Sequence, residues 1–120
     1  MNSYYNPELK ERRNAVLKEF PHYTFHQTDI SDFGSLYKII EEEKPESIIH
    51  LAAQAGVRYS LQNPWAYEQA NVLGTINIFE AAHQLGIRRV VFASSSSVYG
   101  ANTKIPFSEK DVTDSPVSLY

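Results

Sequence analysis

Apolar residues in this chain follow two periods in alternation, helical stretches separated by short β-rich runs. Asn6-Pro7 reads as a helix start, the asparagine capping and the proline preorganised for the first turn. A helix from Pro7 to about Glu19 follows, with Leu9, Val16, Leu17 and Phe20 as its apolar stripe and Pro21 as its stop. Tyr23 to Ile30 alternates aromatic and β-branched residues and predicts a strand. Ser31 or Asp32 caps a second helix, Phe33 to Glu43, whose Phe33, Leu36, Ile39 and Ile40 fit a 3.6-residue period. Ser47 to Ala53 is apolar almost throughout and predicts a second strand; Gln54 to Ser60 then reads as a polar loop around Gly56. Asn63-Pro64 repeats the cap-plus-proline signal and opens a long helix to Leu85, with Gly86 placed just past its end. Val90 to Ala93 is a third strand, expected to be buried on both faces. It runs into four serines, Ser94 to Ser97, and then Tyr99-Gly100. The remaining residues, 101–120, read as a loop ending where a helix could begin. Strands alternating with helices imply right-handed βαβ units and a parallel sheet, an α/β fold.

Composition narrows the class. With 120 residues the chain is one domain or part of one, and 42% hydrophobic residues suffice for a core. The net charge of −3 is made of interspersed signs, which gives no basic surface for nucleic acid or an anionic membrane. The chain has no cysteine, so disulfides, thiolate catalysis and cysteine-held zinc are excluded. No apolar run approaches the ~18 residues of a membrane span, and Met1 to Pro7 lacks the apolar core of a signal peptide. The expected location is cytoplasmic.

Several residues carry candidate chemistry. A buried strand that ends in hydroxyls, as Val90 to Ser97 does, is where parallel sheets place ligands. Asp29-Ile30, at a strand end, can recognise an adenine: the carboxylate accepts from an exocyclic amine and the aliphatic side chain covers the ring. The same pair is also an ordinary helix-capping turn. Leu51-Ala-Ala-Gln-Ala-Gly56 offers small residues where backbone could approach a phosphate or ribose, or where a helix packs closely. Asn71 sits in a helix interior, an unfavourable place unless it bonds a loop backbone or a ligand. His22, His26, His50 and His83 show no metal-ligand spacing. Ser95 and Tyr120 could act as a hydroxyl pair, the tyrosine serving as base if a nearby cation lowers its pKa from about 10.

Taken together, Asp29 to Asp32, His50 to Ser60, Asn71 to Thr75, Phe92 to Gly100 and Ser115 to Tyr120 resemble, in order and spacing, the extended short-chain dehydrogenases/reductases of the NAD-dependent epimerase/dehydratase family. The resemblance implies a Rossmann domain that holds NAD and a reaction that oxidises a carbon of a nucleoside-diphosphate sugar. Asp29 and Ile30 match the adenine-contacting pair. Leu51, Ala52 and Ala53 match the strand end beside ribose and pyrophosphate. Asn71 matches the helix asparagine near the cofactor, and Ala93 and Ser94 the residues beside the nicotinamide ribose. Ser95 matches the catalytic Ser/Thr, and Tyr120 the tyrosine of the family's Tyr-x-x-x-Lys pair, which contacts cofactor and substrate alike. Arg58, Ser96 and Ser97 fall near the expected sugar site, and Arg58 could meet a uronate carboxylate. Dehydratases and decarboxylases of the family carry an acid just before Val-Tyr-Gly; here that place is Ser97. The closest resemblance is therefore to UDP-glucuronate 4-epimerases. A dehydratase or decarboxylase is the alternative within the enzymes, and a non-catalytic Rossmann-like remnant the alternative outside them.

The same resemblance points to missing parts. The five glycines form no Gly-rich phosphate loop, and the chain stops at Tyr120, before the lysine of the pair. Residues 1–120 are thus expected to be an internal fragment: an incomplete NAD-binding Rossmann domain, without the first two strands, the Gly-rich loop or the C-terminal substrate lobe. In the strand order 3-2-1-4-5-6 its strands would be the third, fourth and fifth. The fourth and fifth can pair, while the third lacks a neighbour. Alone, the chain is expected to be poorly stable, to bind NAD weakly or not at all, and to be inactive. The UDP-sugar partner belongs to a full-length parent, for which a homodimer is an allowed assembly.

Overall fold

The computed structural model describes residues 5–120; Met1 to Tyr4, read above for a targeting signal, lie outside that range. The described elements are α1 (Pro7–Leu17), α2 (Phe33–Glu43), β1 (Ile48–His50), α3 (Val57–Gln62), α4 (Pro64–Tyr67), α5 (Gly74–Gln84) and β2 (Val90–Phe92). A π-helical stretch, Glu68–Leu73, joins α4 to α5, and a 3₁₀ turn, Ser96–Tyr99, follows β2.

The two strands pair in parallel, with Ile48 opposite Val90, Ile49 opposite Val91 and His50 opposite Phe92. Side chains alternate across a strand, so Ile48 and Val90 point to one face. There they pack on Leu36 and Ile40 of α2 and Ile78 and Ala81 of α5. Phe92, on the same pleat, meets Phe79 of α5 edge to face at 5.7 Å. This helix–sheet layer is the core, and the α/β character and the parallel sheet stand as the sequence implies.

Helix ends follow local chemistry. Asp32 caps α2: one carboxylate oxygen accepts the Ser35 N–H at 3.2 Å and the other its hydroxyl at 2.6 Å. These bonds hold the Asp32 carboxyl below its ordinary pKa. Gly86, at φ +72°, ends α5 in a left-handed turn. Its N–H reaches His83 O at 3.2 Å, and the Ile87 N–H reaches Ala82 O at 2.8 Å, the paired bonds of a Schellman motif.

Five expectations need correction. Tyr23 to Ile30 is extended but is not a strand, because no described strand lies beside it to supply ladder hydrogen bonds. The loop predicted over Gln54 to Ser60 becomes helical at Val57, where Ser60 is buried with its hydroxyl on Val57 O at 2.6 Å. The long helix from Pro64 runs unbroken to Gln84 through its π-helical stretch, but Asn63 does not cap it: its amide donates to the Tyr59 hydroxyl at 3.1 Å instead. The stripe on α1 stays outside the core, with no residue of α1 buried and Val16 59% and Phe20 62% exposed. Finally, among the described residues the sheet is covered on one face only. Both helices that bury it lie on the Ile48–Val90 side, which leaves Ile49 and Val91 open at 70% and 64% exposure. The segment 101–120 is a loop with no helix at its end.

Candidate nucleotide site

Beyond the carboxyl ends of β1 and β2 lie two cavities with a common wall. The first, about 580 Å³, is lined by Asp29, Ile30, Leu51, Ala52, Ala53 and Gln54, with Lys10 from α1. The second, about 410 Å³, is lined by Leu51, Ala52, Ala53, Asn71, Ala93, Ser94, Ser95 and Tyr120, with His50 and Thr75 at its base. Ten of the residues expected at the site therefore line one cavity or the other, and Leu51 to Ala53 line both. Arg58, Ser96 and Ser97 line neither; Arg58 is exposed on α3.

Asp29 and Ile30 sit on a tight corner. One Asp29 oxygen, Oδ1, accepts from the Ser31 N–H at 2.9 Å and from the Ser31 hydroxyl at 2.8 Å. The adjoining Asp32 N–H returns to Asp29 O at 3.1 Å. The second carboxylate oxygen, Oδ2, makes no hydrogen bond among the described residues and keeps its acceptor capacity. The corner rests on α5: Asn77 donates to Ile30 O and Ser31 O at 2.9 and 3.1 Å. Ile30 also fills the space a side chain on Gly74 would need, since an added Cβ there would lie 2.4 Å from Ile30 Cδ1.

The common wall is fixed at both ends. Asn71 clamps Gln54 through two bonds, accepting its N–H at 2.7 Å and donating to its carbonyl at 3.0 Å. The helix asparagine is thus committed to a loop backbone, one of the two uses its position suggested, while still lining the second cavity. It lies in the π turn, a distortion that adds a residue to a helix and recurs at functional sites. Four residues on, Thr75 Oγ1 meets His50 Nε2 at 3.0 Å. His50 is buried, and burial depresses its pKa below the ordinary 6.5. A depressed histidine binds its proton more readily unfolded than folded, so its contribution is complete above pH 6.5 and is lost as pH falls below that value. The shifted carboxyls, Asp32 and Asp111, act only near and below 3.8. Thermal midpoints measured from pH 7.5 to 5 are expected to fall below pH 6.5, and His50→Gln is expected to flatten that slope.

Tyr120 is seated by Tyr67, the largest fully buried side chain among the described residues. The Tyr67 hydroxyl bonds Ala55 O at 2.9 Å and Gly56 O at 2.5 Å, and its ring meets the Tyr120 ring edge-on at 5.7 Å. Ser95 is oriented by the turn behind it: its hydroxyl donates to Ser97 Oγ and accepts the Ser97 N–H, each at 3.2 Å. Ser97 therefore serves the site from outside its wall. Asn77, Thr75, His50 and Tyr67 were not singled out for these roles from sequence. A signal existed for Asn77, a polar residue on the Gly74–Ile78–Ala81 face that helical period assigns to the core.

Fold and cavities together define an α/β layer with two adjoining cavities at the carboxyl ends of its strands. The model of the GDP-mannose 4,6 dehydratase family matches residues 2–120. An uncharacterized protein of Methanocaldococcus jannaschii is 58% identical over 120 residues, all of this chain and 37% of its own length. A probable UDP-glucuronate 4-epimerase of Rhizobium meliloti is 48% identical, over all of this chain and 35% of its own. Among solved structures, the UDP-Glc/GlcNAc 4-epimerase of Campylobacter jejuni matches with a TM-score of 0.82 at 30% identity, over 98% of this chain and 34% of that one. UDP-glucose 4-epimerase of Brucella ovis, in complex with NAD, matches with 0.74 at 32%, over 80% and 29%. The chain belongs to the GDP-mannose 4,6 dehydratase family, among the extended short-chain epimerases and dehydratases. It spans about a third of the length of the curated relatives it matches.

The residues present fit a dinucleotide. The Gln54 side-chain nitrogen is buried without an acceptor among the described residues, a donor that a ligand oxygen or a rearranged neighbour could satisfy. Ala52 and Ala53 line both cavities with small side chains, and Asp29 Oδ2 makes no hydrogen bond among the described residues. No group of three or more potential metal ligands occurs among the described residues. No described helix is long and apolar enough to cross a membrane.

Proposed function

We propose that this chain is the cofactor-facing part of an NAD-dependent UDP-sugar 4-epimerase of the UDP-glucuronate type, an incomplete Rossmann domain whose Gly-rich loop and substrate lobe lie in other sequence. One observation carries the reading: Ser95, Tyr120, Ala93, Ser94 and Asn71 meet in one cavity, and its Leu51–Ala53 wall continues into a second cavity bearing Asp29 and Ile30. NAD bound across the two would supply a reversible two-electron acceptor for sugar carbon 4. Asp29 would accept from the adenine amine while Ile30 covers the ring. Leu51, Ala52 and Ala53 would approach the ribose and pyrophosphate, and Ala93 and Ser94 the nicotinamide ribose. Tyr120 would take the proton of the C4 hydroxyl and return it after the sugar turns over. Ser95 would turn its hydroxyl from Ser97 Oγ to donate to the same oxygen, its own oxygen still held by the Ser97 N–H. Ser96 and Arg58 would act on the sugar only after moving toward the cavity. In a parent enzyme a homodimer is compatible with this site.

An acid at position 97 would favour dehydration or decarboxylation; the serine there favours simple inversion. A polypeptide of the relatives' length containing this chain, incubated with UDP-glucuronate and followed by proton NMR, is expected to yield the C4 epimer. A dehydrated or decarboxylated product would move the protein to the other branch of the family. No conversion by a well-folded sample would indicate a non-catalytic module.

A further inference from the structure

We infer that Asn77 is a positioning residue for the adenine half of the site, acting through the Asp29–Ile30 corner; the inference rests on the adenine reading of that corner given above. The segment Tyr23 to Ile30 has no ladder partner among the described residues, so strand pairing does not place its end. Its placement falls to α5. Asn77 is 6% exposed, and its amide nitrogen donates to two successive carbonyls, Ile30 O at 2.9 Å and Ser31 O at 3.1 Å. One turn earlier, Gly74 leaves the gap that the Ile30 side chain occupies. Residues three apart share a helix face, so Gly74 and Asn77 together form a seat for the corner, the first by shape and the second by hydrogen bonding.

The seat serves one cavity and not the other. Ile30 and Asp29 line the first cavity and are absent from the second, while the wall common to both is held separately from the corner by Asn71 on Gln54 and Thr75 on His50. Without the Asn77 amide, two carbonyls lose their side-chain donor and the corner can turn away from the cavity. Asp29 Oδ2 and the Ile30 side chain then no longer face a common ligand. A general loss of stability would affect both cavities; a lost seat affects one.

The test is an NMR titration of a polypeptide of the relatives' length that contains this chain, isotopically labelled, with AMP and, separately, with nicotinamide mononucleotide. In the unsubstituted chain AMP is expected to shift the amides of Asp29, Ile30 and Ser31. Asn77→Ala is expected to weaken AMP about tenfold, the size of one to two lost hydrogen bonds, and to leave nicotinamide mononucleotide unchanged. Should Asn77→Ala unfold, Gly74→Ala keeps both Asn77 bonds and displaces Ile30, and the same one-sided loss is expected. If AMP shifts nothing at the corner of the unsubstituted chain, the adenine reading fails and this inference with it. If AMP binds there but the folded variants bind it equally well, or lose both mononucleotides alike, the adenine reading stands and the role given to Asn77 is overturned.

Discussion

Replacing Tyr120 by phenylalanine, in a polypeptide of the relatives' length that contains this chain, is expected to lower kcat for C4 inversion by about 10²- to 10⁴-fold, the usual contribution of a positioned acid–base group. The substitution removes one oxygen and keeps the ring. The edge-on contact with Tyr67 is a ring contact and survives, so the site keeps its shape. Substrate affinity is accordingly expected to change little, and the loss should fall on kcat rather than KM. Ser95→Ala is expected to act in the same direction, since the hydroxyl held by Ser97 is lost while the backbone remains. Steady-state kinetics with UDP-glucuronate separates the cases. If Tyr120→Phe retains full turnover, the proton passes through another group and the assignment of this cavity to catalysis is wrong.

Leu36→Ala carries the largest expected effect on stability. Leu36 is 5% exposed and lies in the one cluster that joins α2, α5 and both strands. Truncating such a side chain typically costs about 2–5 kcal/mol in lost transfer energy and residual cavity. Domains of this size have roughly 6–18 kcal/mol in total. A chain with one covered sheet face and two three-residue strands should lie at the low end. Thermal unfolding followed by circular dichroism is expected to lose its cooperative transition in Leu36→Ala. Ile49→Ala, on the open face, is the control expected to leave the transition in place. Equal losses in the two variants would mean that the Ile49–Val91 face is packed and the layer described here is mistaken.

What could be read beforehand follows the range of the interactions involved. Short-range signals held: Asp32 caps α2, Gly86 closes α5, and the Phe33, Leu36 and Ile40 period marks the face that packs. The cavity-lining residues too were noticeable as types, because a strand that ends in Ala-Ser-Ser and a small-residue turn need only local sequence to be seen. Failures arose where the outcome depends on distant partners. Tyr23 to Ile30 has strand-like alternation, but a strand exists only beside another. The π turn at Glu68–Leu73 has no signature in hydrophobic period; it coincides with Asn71, whose bonds go to Gln54, seventeen positions away. Asn77 bonds residues 46 and 47 positions away, beyond anything a local pattern encodes.

The wall formed by Leu51, Ala52 and Ala53 has a consequence for how such a protein can change. Because the same three residues bound both cavities, any bulk added there is felt on both sides at once. A variant selected for a different purine could not be reached through these positions without penalising the other end of the ligand. Under the proposed reading, preference at the adenine end could drift through residues that line the first cavity alone, such as Gln27, Thr28, Asp29 and Ile30. The shared wall would therefore act as a constraint on descent: it ties the two cavities together in evolution, while the residues confined to one cavity leave room to tune them apart.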